Sequence, residues 1–186
     1  MIELRGIKKS FGEQQVLRGV SAVLPEKGPV ALRGGSGSGK TTLLRILAGL
    51  ESADSGEILG LDGKRVSYVF QEDRLLPRAT ALENAGIACE KSTARQWLER
   101  FGLGDSLNKK PDTMSGGMRR RVALARAFAF GGDVLLLDEP FNGLDADNIA
   151  VLTKETARFA QNGPVIFVNH GNDLLAPVHE IVIDGK

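Results

Sequence analysis

The chain is short of several things that mark large protein classes, and each shortage removes one class. Cys89 is the only cysteine, so no disulfide can form within the chain, and a reducing compartment suits it. Lys and Arg number 24 against 23 Asp and Glu, a net charge of +1. With no basic excess to neutralise phosphates, a general nucleic-acid role is not expected. No apolar run approaches the length needed to span a bilayer, so work at a membrane would need a partner that does the spanning. The start, Met1-Ile-Glu-Leu-Arg5, reads directly as a strand rather than as a basic and then apolar leader. What remains is ordinary soluble composition: 186 residues, 42% hydrophobic and 25% charged. That is one domain, long enough for a true core.

What is present centres on Gly34-Gly35-Ser36-Gly37-Ser38-Gly39-Lys40-Thr41-Thr42. Gly34 and Gly39 enclose four residues ahead of Lys40 and Thr41, the P-loop spacing. A triphosphate crowds negative charge, and backbone N–H groups can surround it only where no Cβ intervenes. Thr41 and Thr42 open a helix whose N-terminal dipole favours the same anion. Lys40 supplies a point charge to the β- and γ-phosphates, and Thr41 a hydroxyl to Mg²⁺. Pro29–Arg33 reads as a strand entering the loop and Leu43–Ala48 as a helix leaving it. This is a nucleotide site.

In chain order, 2–7 and 15–23 read as strands of an antiparallel ribbon, with Phe11-Gly12 at its turn. Phe11 is either a packing aromatic or a face on which a purine stacks. Two short strands, 57–60 and 65–70, flank the Asp62-Gly63 turn, the second ending on Gln71. Gln71 is a polar strand end or, given the upstream loop, a site residue. Residues 80–101 read as helical, opened by a Thr80/Glu83 capping box, with Trp97 in the core. A polar, turn-rich stretch spans 102–112. Met114–Met118 is a second glycine turn opening a helix, and so a second anion-ready N-terminus. The run Arg119–Arg121 reads mostly as a solvated face.

Val134–Leu137 is continuously apolar, as suits a strand buried on both faces of a parallel sheet. It delivers Asp138 and Glu139 at its carboxyl end, where α/β sheets hold ligands. Adjacent carboxylates there must be desolvated or paired, and beside a P-loop they suit magnesium coordination and polarisation of water. A helix over 147–161 and a strand over 165–168 follow, the strand ending on Asn169-His170. His170 and His179 are by themselves structural histidines.

Taken together, these segments resemble the nucleotide-binding subunits of ABC transporters over essentially the whole chain. Gly34–Thr42 matches the family's Walker A motif, Gln71 its Q-loop glutamine, and Ser115-Gly116-Gly117 its signature turn. Leu135–Asp138 matches Walker B, Glu139 the catalytic glutamate, Leu144-Asp145 the D-loop and His170 the switch histidine. Phe11 stands at the adenine-stacking position, with Val16 on the next strand.

The resemblance implies an α/β fold: a P-loop NTPase core with a mostly parallel sheet, an N-terminal antiparallel β ribbon and a small helical insertion. It also implies one domain over 1–186, with a helical subdomain at 73–114 set into a core formed by 1–72 and 115–186. The ligands are ATP and Mg²⁺, the metal held by Thr41, Gln71 and Asp138. Lys40, Gln71, Glu139 and His170 serve catalysis, and Ser115, Gly116, Gly117 and Asp145 bind nucleotide. The implied partners are a transmembrane permease subunit and a second copy of the chain in a nucleotide-sandwich dimer, on the inner face of the cell membrane.

Two alternatives stay open, a soluble ATPase of a non-membrane complex and a non-hydrolysing nucleotide-dependent regulator. Met118 and Arg33 replace the family's usual glutamine and apolar residue. The insertion is short, and no regulatory domain is expected after the last core strand. The segment Phe70–Pro77 resembles importers of nitrate, sulfonates and taurine. A groove for the membrane partner is expected at 71–88, with Leu75, Leu76 and Leu82 in it.

Overall fold

The computed structural model describes residues 1–169, 176–177 and 179–183. Its elements are β1 (Ile2–Phe11), β2 (Gln14–Leu24), β3 (Gly28–Arg33), α1 (Lys40–Leu47), β4 (Ser55–Leu59), β5 (Val66–Val69), α2 (Ala81–Ala85), α3 (Lys91–Arg100), α4 (Gly116–Phe130), β6 (Val134–Asp138), α5 (Ala146–Ala160), β7 (Pro164–Val168) and β8 (His179–Val182). Single 3₁₀ turns lie at Gly104–Ser106 and Pro111–Thr113.

β5-β6-β7-β3-β8 form one sheet, with every described pairing parallel. β6 and β7 lie inside it and are buried at every position, which is why Val134–Leu137 is apolar without alternation. Their side chains nevertheless alternate between two cores, because successive residues of a strand point to opposite faces. Leu135, Leu137, Val165 and Phe167 pack with α2, α3 and α4. Val134, Leu136, Ile166 and Val168 pack with α1 and with the ribbon's Ile2, Leu4 and Leu17.

The N-terminal ribbon is a three-stranded antiparallel sheet, β2-β1-β4. The strands flanking the Asp62-Gly63 turn therefore do not pair with each other. β4 sets Ile58 opposite Leu4 on β1, whereas β5 buries Ser67 and Val69 beside β6. Each strand goes where its apolar face is covered.

The helix expected over 80–101 is two helices. The capping box at Thr80 forms, with Thr80 Oγ1 accepting from the Glu83 N–H at 3.2 Å. Gly86 then ends α2, and a Cβ there would lie 3.0 Å from Leu82 O and 3.5 Å from the Ala94 methyl group. The tight approach is thus to the carbonyl of α2's own last turn, the Ala94 methyl lying at ordinary contact distance, and Ile87 just beyond the break is 54% exposed.

Candidate nucleotide site

β3 runs into the glycine loop and α1 leaves it, so the P-loop sits at the carboxyl end of the parallel sheet. Gly39 caps α1 with φ 100° and no side-chain hydrogen bond, which leaves the first-turn amides of the helix for an anion. An added Cβ at Gly39 would lie 2.7 Å from Leu17 Cδ2 and 2.8 Å from Val16 Cγ1. Glycine is required there by both φ and space. Lys40 is buried and donates to Gly34 O at 2.9 Å and Gly35 O at 2.7 Å. Its ammonium is thereby held in the arch of the loop. The buried Ser38 Oγ has no protein partner among the described residues, a cost that a bound oxyanion would relieve.

The loop opens onto a cleft of about 360 Å³, within the range of small-molecule sites. Phe11 and Val16, the P-loop residues Ser36, Gly37 and Gly39 to Thr42, and Gln71 and Glu139 line it. The Phe11 ring is 48% exposed, with Lys9 Nζ 5.2 Å from its centroid. Residues from β1, β2, the P-loop, the end of β5 and the end of β6 thus meet at one cavity.

Asp138 ends β6 and is buried. Its Oδ1 accepts from Thr41 Oγ1 at 3.2 Å and its Oδ2 from the Tyr68 hydroxyl at 3.3 Å. Burial raises the Asp138 carboxyl above its usual pKa, and the two hydroxyl bonds pull it back. Burial, and then the charge on Asp138, push the Tyr68 phenol well above its ordinary range. Tyr68 therefore keeps its proton and remains a donor.

Thr41, Gln71 and Asp138 line one recess with Tyr68 and Arg45. Hydroxyl, amide and carboxylate oxygens from so few side chains form the sparse, hard set that Mg²⁺ uses with substrate phosphates and water. No cluster of three His, Cys, Asp or Glu occurs among the described residues.

Glu139 has φ 48°, a left-handed conformation that costs a non-glycine residue roughly 1–3 kcal/mol. It is held there on three sides. Its N–H donates to Val168 O at 2.9 Å, its carbonyl accepts from Arg120 Nη2 at 2.7 Å, and its Oε2 accepts from Asn142 Nδ2 at 2.6 Å. Such a conformation is found where surrounding structure holds a side chain in place for chemistry.

Other expected site residues lie away from the cleft lining. Ser115 caps α4, its Oγ accepting from the Met118 N–H at 3.2 Å. A Cβ on Gly117 would lie 3.0 Å from Gly143 O, so the Ser115–Gly117 turn adjoins the segment that leads to Asp145. Asp145 caps α5 through Asn148, and these bonds hold its carboxyl below the usual carboxylate range. His170 lies outside the described residues.

The Arg119–Arg121 run is not a solvated face. Arg119 donates to Met114 O at 2.9 Å, and Arg121 to Phe101 O at 2.9 Å at the negative end of α3. Arg120 is 3% exposed. α4 is packed on several sides, so cations spaced around it meet carbonyls rather than water. Arg33 lies on β3 and bonds Glu180 across to β8 at 3.0 Å, outside the cleft. Tyr68, Asn142 and Arg120 were missed from sequence. Only the alternation of β5 hinted at Tyr68, since residues 66, 68 and 70 share a face of that strand.

Met118 packs against the helical core, and only its backbone N–H serves the Ser115 turn. Met118→Gln is therefore expected to change the ATP turnover of the chain by less than about threefold, measured by phosphate release. A rise of a hundredfold or more would place the side chain, not the turn, at the centre of that motif.

A family profile described as ABC transporter matches residues 17–142. The aliphatic sulfonates import ATP-binding protein of Zymomonas mobilis is 42% identical over 181 residues, covering 91% of this chain and 75% of that protein. The sulfate/thiosulfate import ATP-binding protein of Salmonella typhi is 38% identical, covering 98% of this chain and 57% of that protein. The chain thus spans between about half and three quarters of the length of the relatives it matches. Among solved structures, a dimeric bacterial ABC transporter cassette is 27% identical at a TM-score of 0.87, covering 100% of this chain and 95% of that one. A dimeric post-hydrolysis state of the cassette bound to ADP and Pi is 28% identical at 0.82, covering 94% and 90%.

Proposed function

From its membership of the ABC transporter family, to which this chain belongs, we propose that it is the ATP-binding and ATP-hydrolysing subunit that drives a solute through a separate transmembrane partner. The observation that carries the reading is the single cleft in which Lys40, Thr41, Gln71 and Glu139 converge.

Lys40 and the loop amides bind the β- and γ-phosphates. Phe11 stacks on the adenine, with Val16 beside it. Thr41, Gln71 and Asp138 would hold Mg²⁺, which when bound spreads and offsets phosphate charge. Tyr68 and Thr41 keep the Asp138 carboxylate oriented. Glu139, fixed by Asn142 and by its own backbone bonds, takes the proton from the water that attacks the γ-phosphorus, and ADP and phosphate leave. His170 is assigned to the γ-phosphate on the family resemblance alone.

The coupling to transport lies on a second surface. No helix among the described residues is long and apolar enough to cross a membrane, and a neighbouring groove is apolar instead. Leu50, Tyr68, Phe70, Ile87, Ala88 and Phe130 line about 270 Å³ between the end of α1, β5 and the α2–α3 break. Leu76 is exposed but outside this lining, and Leu75 and Leu82 pack into the helical core. The groove thus takes Ile87 and Ala88 from the stretch expected at 71–88, but not Leu75, Leu76 or Leu82. Phe70 links it to the catalytic side, since Gln71 follows directly.

We assign this groove to a short segment of a permease at the inner face of the cell membrane, with 73–114 as the partner-facing helical unit. The cargo reading follows the relatives, import of a small oxyanion such as a sulfonate. Ile87→Asp is expected to abolish co-purification with the membrane partner and to leave basal ATP hydrolysis within about twofold. Unchanged co-purification would remove the groove from the reading. Wild-type chain without ATPase activity would remove the function.

A further inference from the structure

Arg120 carries a charge that the reaction as derived does not use. It is 3% exposed, and a buried cation needs a full set of partners. Its partners come from two separated segments. On one side Nη1 donates to Phe70 O and Gln71 O, at 2.5 and 3.4 Å. On the other, Nη2 donates to Asp138 O at 3.2 Å and Glu139 O at 2.7 Å, and Nε to Pro140 O at 3.3 Å. Asp73 Oδ1, 3.6 Å from Nη1, supplies the counter-charge. Burial lowers the guanidinium pKa and Asp73 raises it, and a guanidinium so placed stays cationic.

The same helix sends a second arginine to the same loop. Arg126 donates to Asp73 O at 2.9 Å and Arg74 O at 2.8 Å. Carbonyls 70, 71, 73 and 74 are thus all held from α4.

We propose that Arg120 is a positioning residue: its planar guanidinium locks the backbone of Gln71 to that of Glu139, so that the two side chains face the γ-phosphate in one fixed relation. The proposal rests on the ATPase reading of the cleft. The geometry favours this role over bulk stability. One rigid fork spans both segments, the grip falls on carbonyls directly beside the two reacting side chains, and one of those residues is the strained, left-handed Glu139. Lysine, with a single nitrogen, cannot span both sides. The phosphate cradle of Gly34–Thr42 makes none of the bonds of Arg120. Its loss should therefore reach kcat and spare ATP affinity.

The test compares wild type with Arg120→Gln, Arg120→Lys and Asp73→Asn in the full chain. It measures Mg–ATP hydrolysis, equilibrium ATP binding and the rate of trypsin cleavage after Arg74 and Arg78. Both Arg120 variants are expected to lose at least tenfold in kcat with ATP Kd within threefold. Cleavage of the 71–79 loop should rise at least tenfold with ATP bound. Asp73→Asn should show the same pattern at roughly threefold, and should add nothing in the Arg120→Gln background.

A kcat within threefold of wild type in Arg120→Gln would overturn the proposal, and so would a loss of ATP affinity in step with kcat. Full rescue by lysine would overturn it as well, since a point charge would then suffice. If Arg120→Gln does not fold, Asp73→Asn decides, and unchanged turnover and cleavage there sink the idea. Wild type that binds ATP without hydrolysing it fails the function reading instead, and loop cleavage still reports whether the clamp exists.

Discussion

Glu139→Gln is expected to bind ATP within about threefold of wild type and to lose turnover by roughly a hundred- to ten-thousandfold, the usual worth of a positioned general base. The substitution keeps the shape of the side chain and its bond to Asn142, because a carboxamide oxygen can accept where Oε2 does at 2.6 Å. The backbone bonds that hold φ at 48° involve no side-chain atom of Glu139. What disappears is the capacity to take a proton.

Lys40→Ala should behave in the opposite way. Its ammonium lies within the arch of the P-loop, bonded to Gly34 O and Gly35 O, where it would meet charge that the ground state already carries. Affinity and turnover should therefore fall together. Equilibrium binding of ATP and single-turnover hydrolysis, run side by side on the two variants, separate the roles. Equal ATP affinity in wild type and Lys40→Ala would remove Lys40 from the phosphate site.

The parts of this site that sequence made legible are those whose chemistry is local. The P-loop is a run of consecutive residues whose backbone conformation and glycine content are required together, so spacing alone identifies it. Val134–Asp138 is legible for a similar reason, since only a strand covered on both faces tolerates so apolar a run ahead of a carboxylate. The capping box at Thr80 involves residues three apart and is equally visible.

Distant contacts decided the rest. Whether β4 pairs with β5 or with β1 depends on residues some fifty positions away. The break at Gly86, whose N–H closes the last turn of α2 on Leu82 O at 2.9 Å, leaves no mark on the helical spacing. A run of arginines looks solvated until its surroundings are known, and here the carbonyls that receive it belong to 70–71, 101–102, 114 and 138–140. The lining of the apolar groove was only partly legible for the same reason: Ile87 and Ala88 fall within 71–88, but Leu50 meets Ile87 only in the fold.

Ser115→Arg is expected to abolish an ATP-dependent dimer and lower hydrolysis at least a hundredfold, while each chain still binds ATP. The cleft that holds Lys40 and Glu139 is not lined by Ser115, Gly116 or Gly117, yet these residues form a helix N-terminus suited to an anion. A phosphate bound in that cleft would lie apart from the turn of the same chain. Both solved cassettes described above are dimers, and a two-fold arrangement would set the turn of one copy over the P-loop of the other.

The γ-phosphate would then bridge the copies, and its loss on hydrolysis would weaken the association by mass action. Glu139→Gln should trap the assembly, because binding survives while the water stays unactivated. Light scattering coupled to size exclusion should accordingly find Glu139→Gln dimeric in ATP–Mg²⁺, monomeric in ADP, and monomeric in both once Ser115→Arg is added. A dimer indifferent to nucleotide and to Ser115→Arg would place the interface on another face, and the Ser115–Gly117 turn would then have no nucleotide to serve.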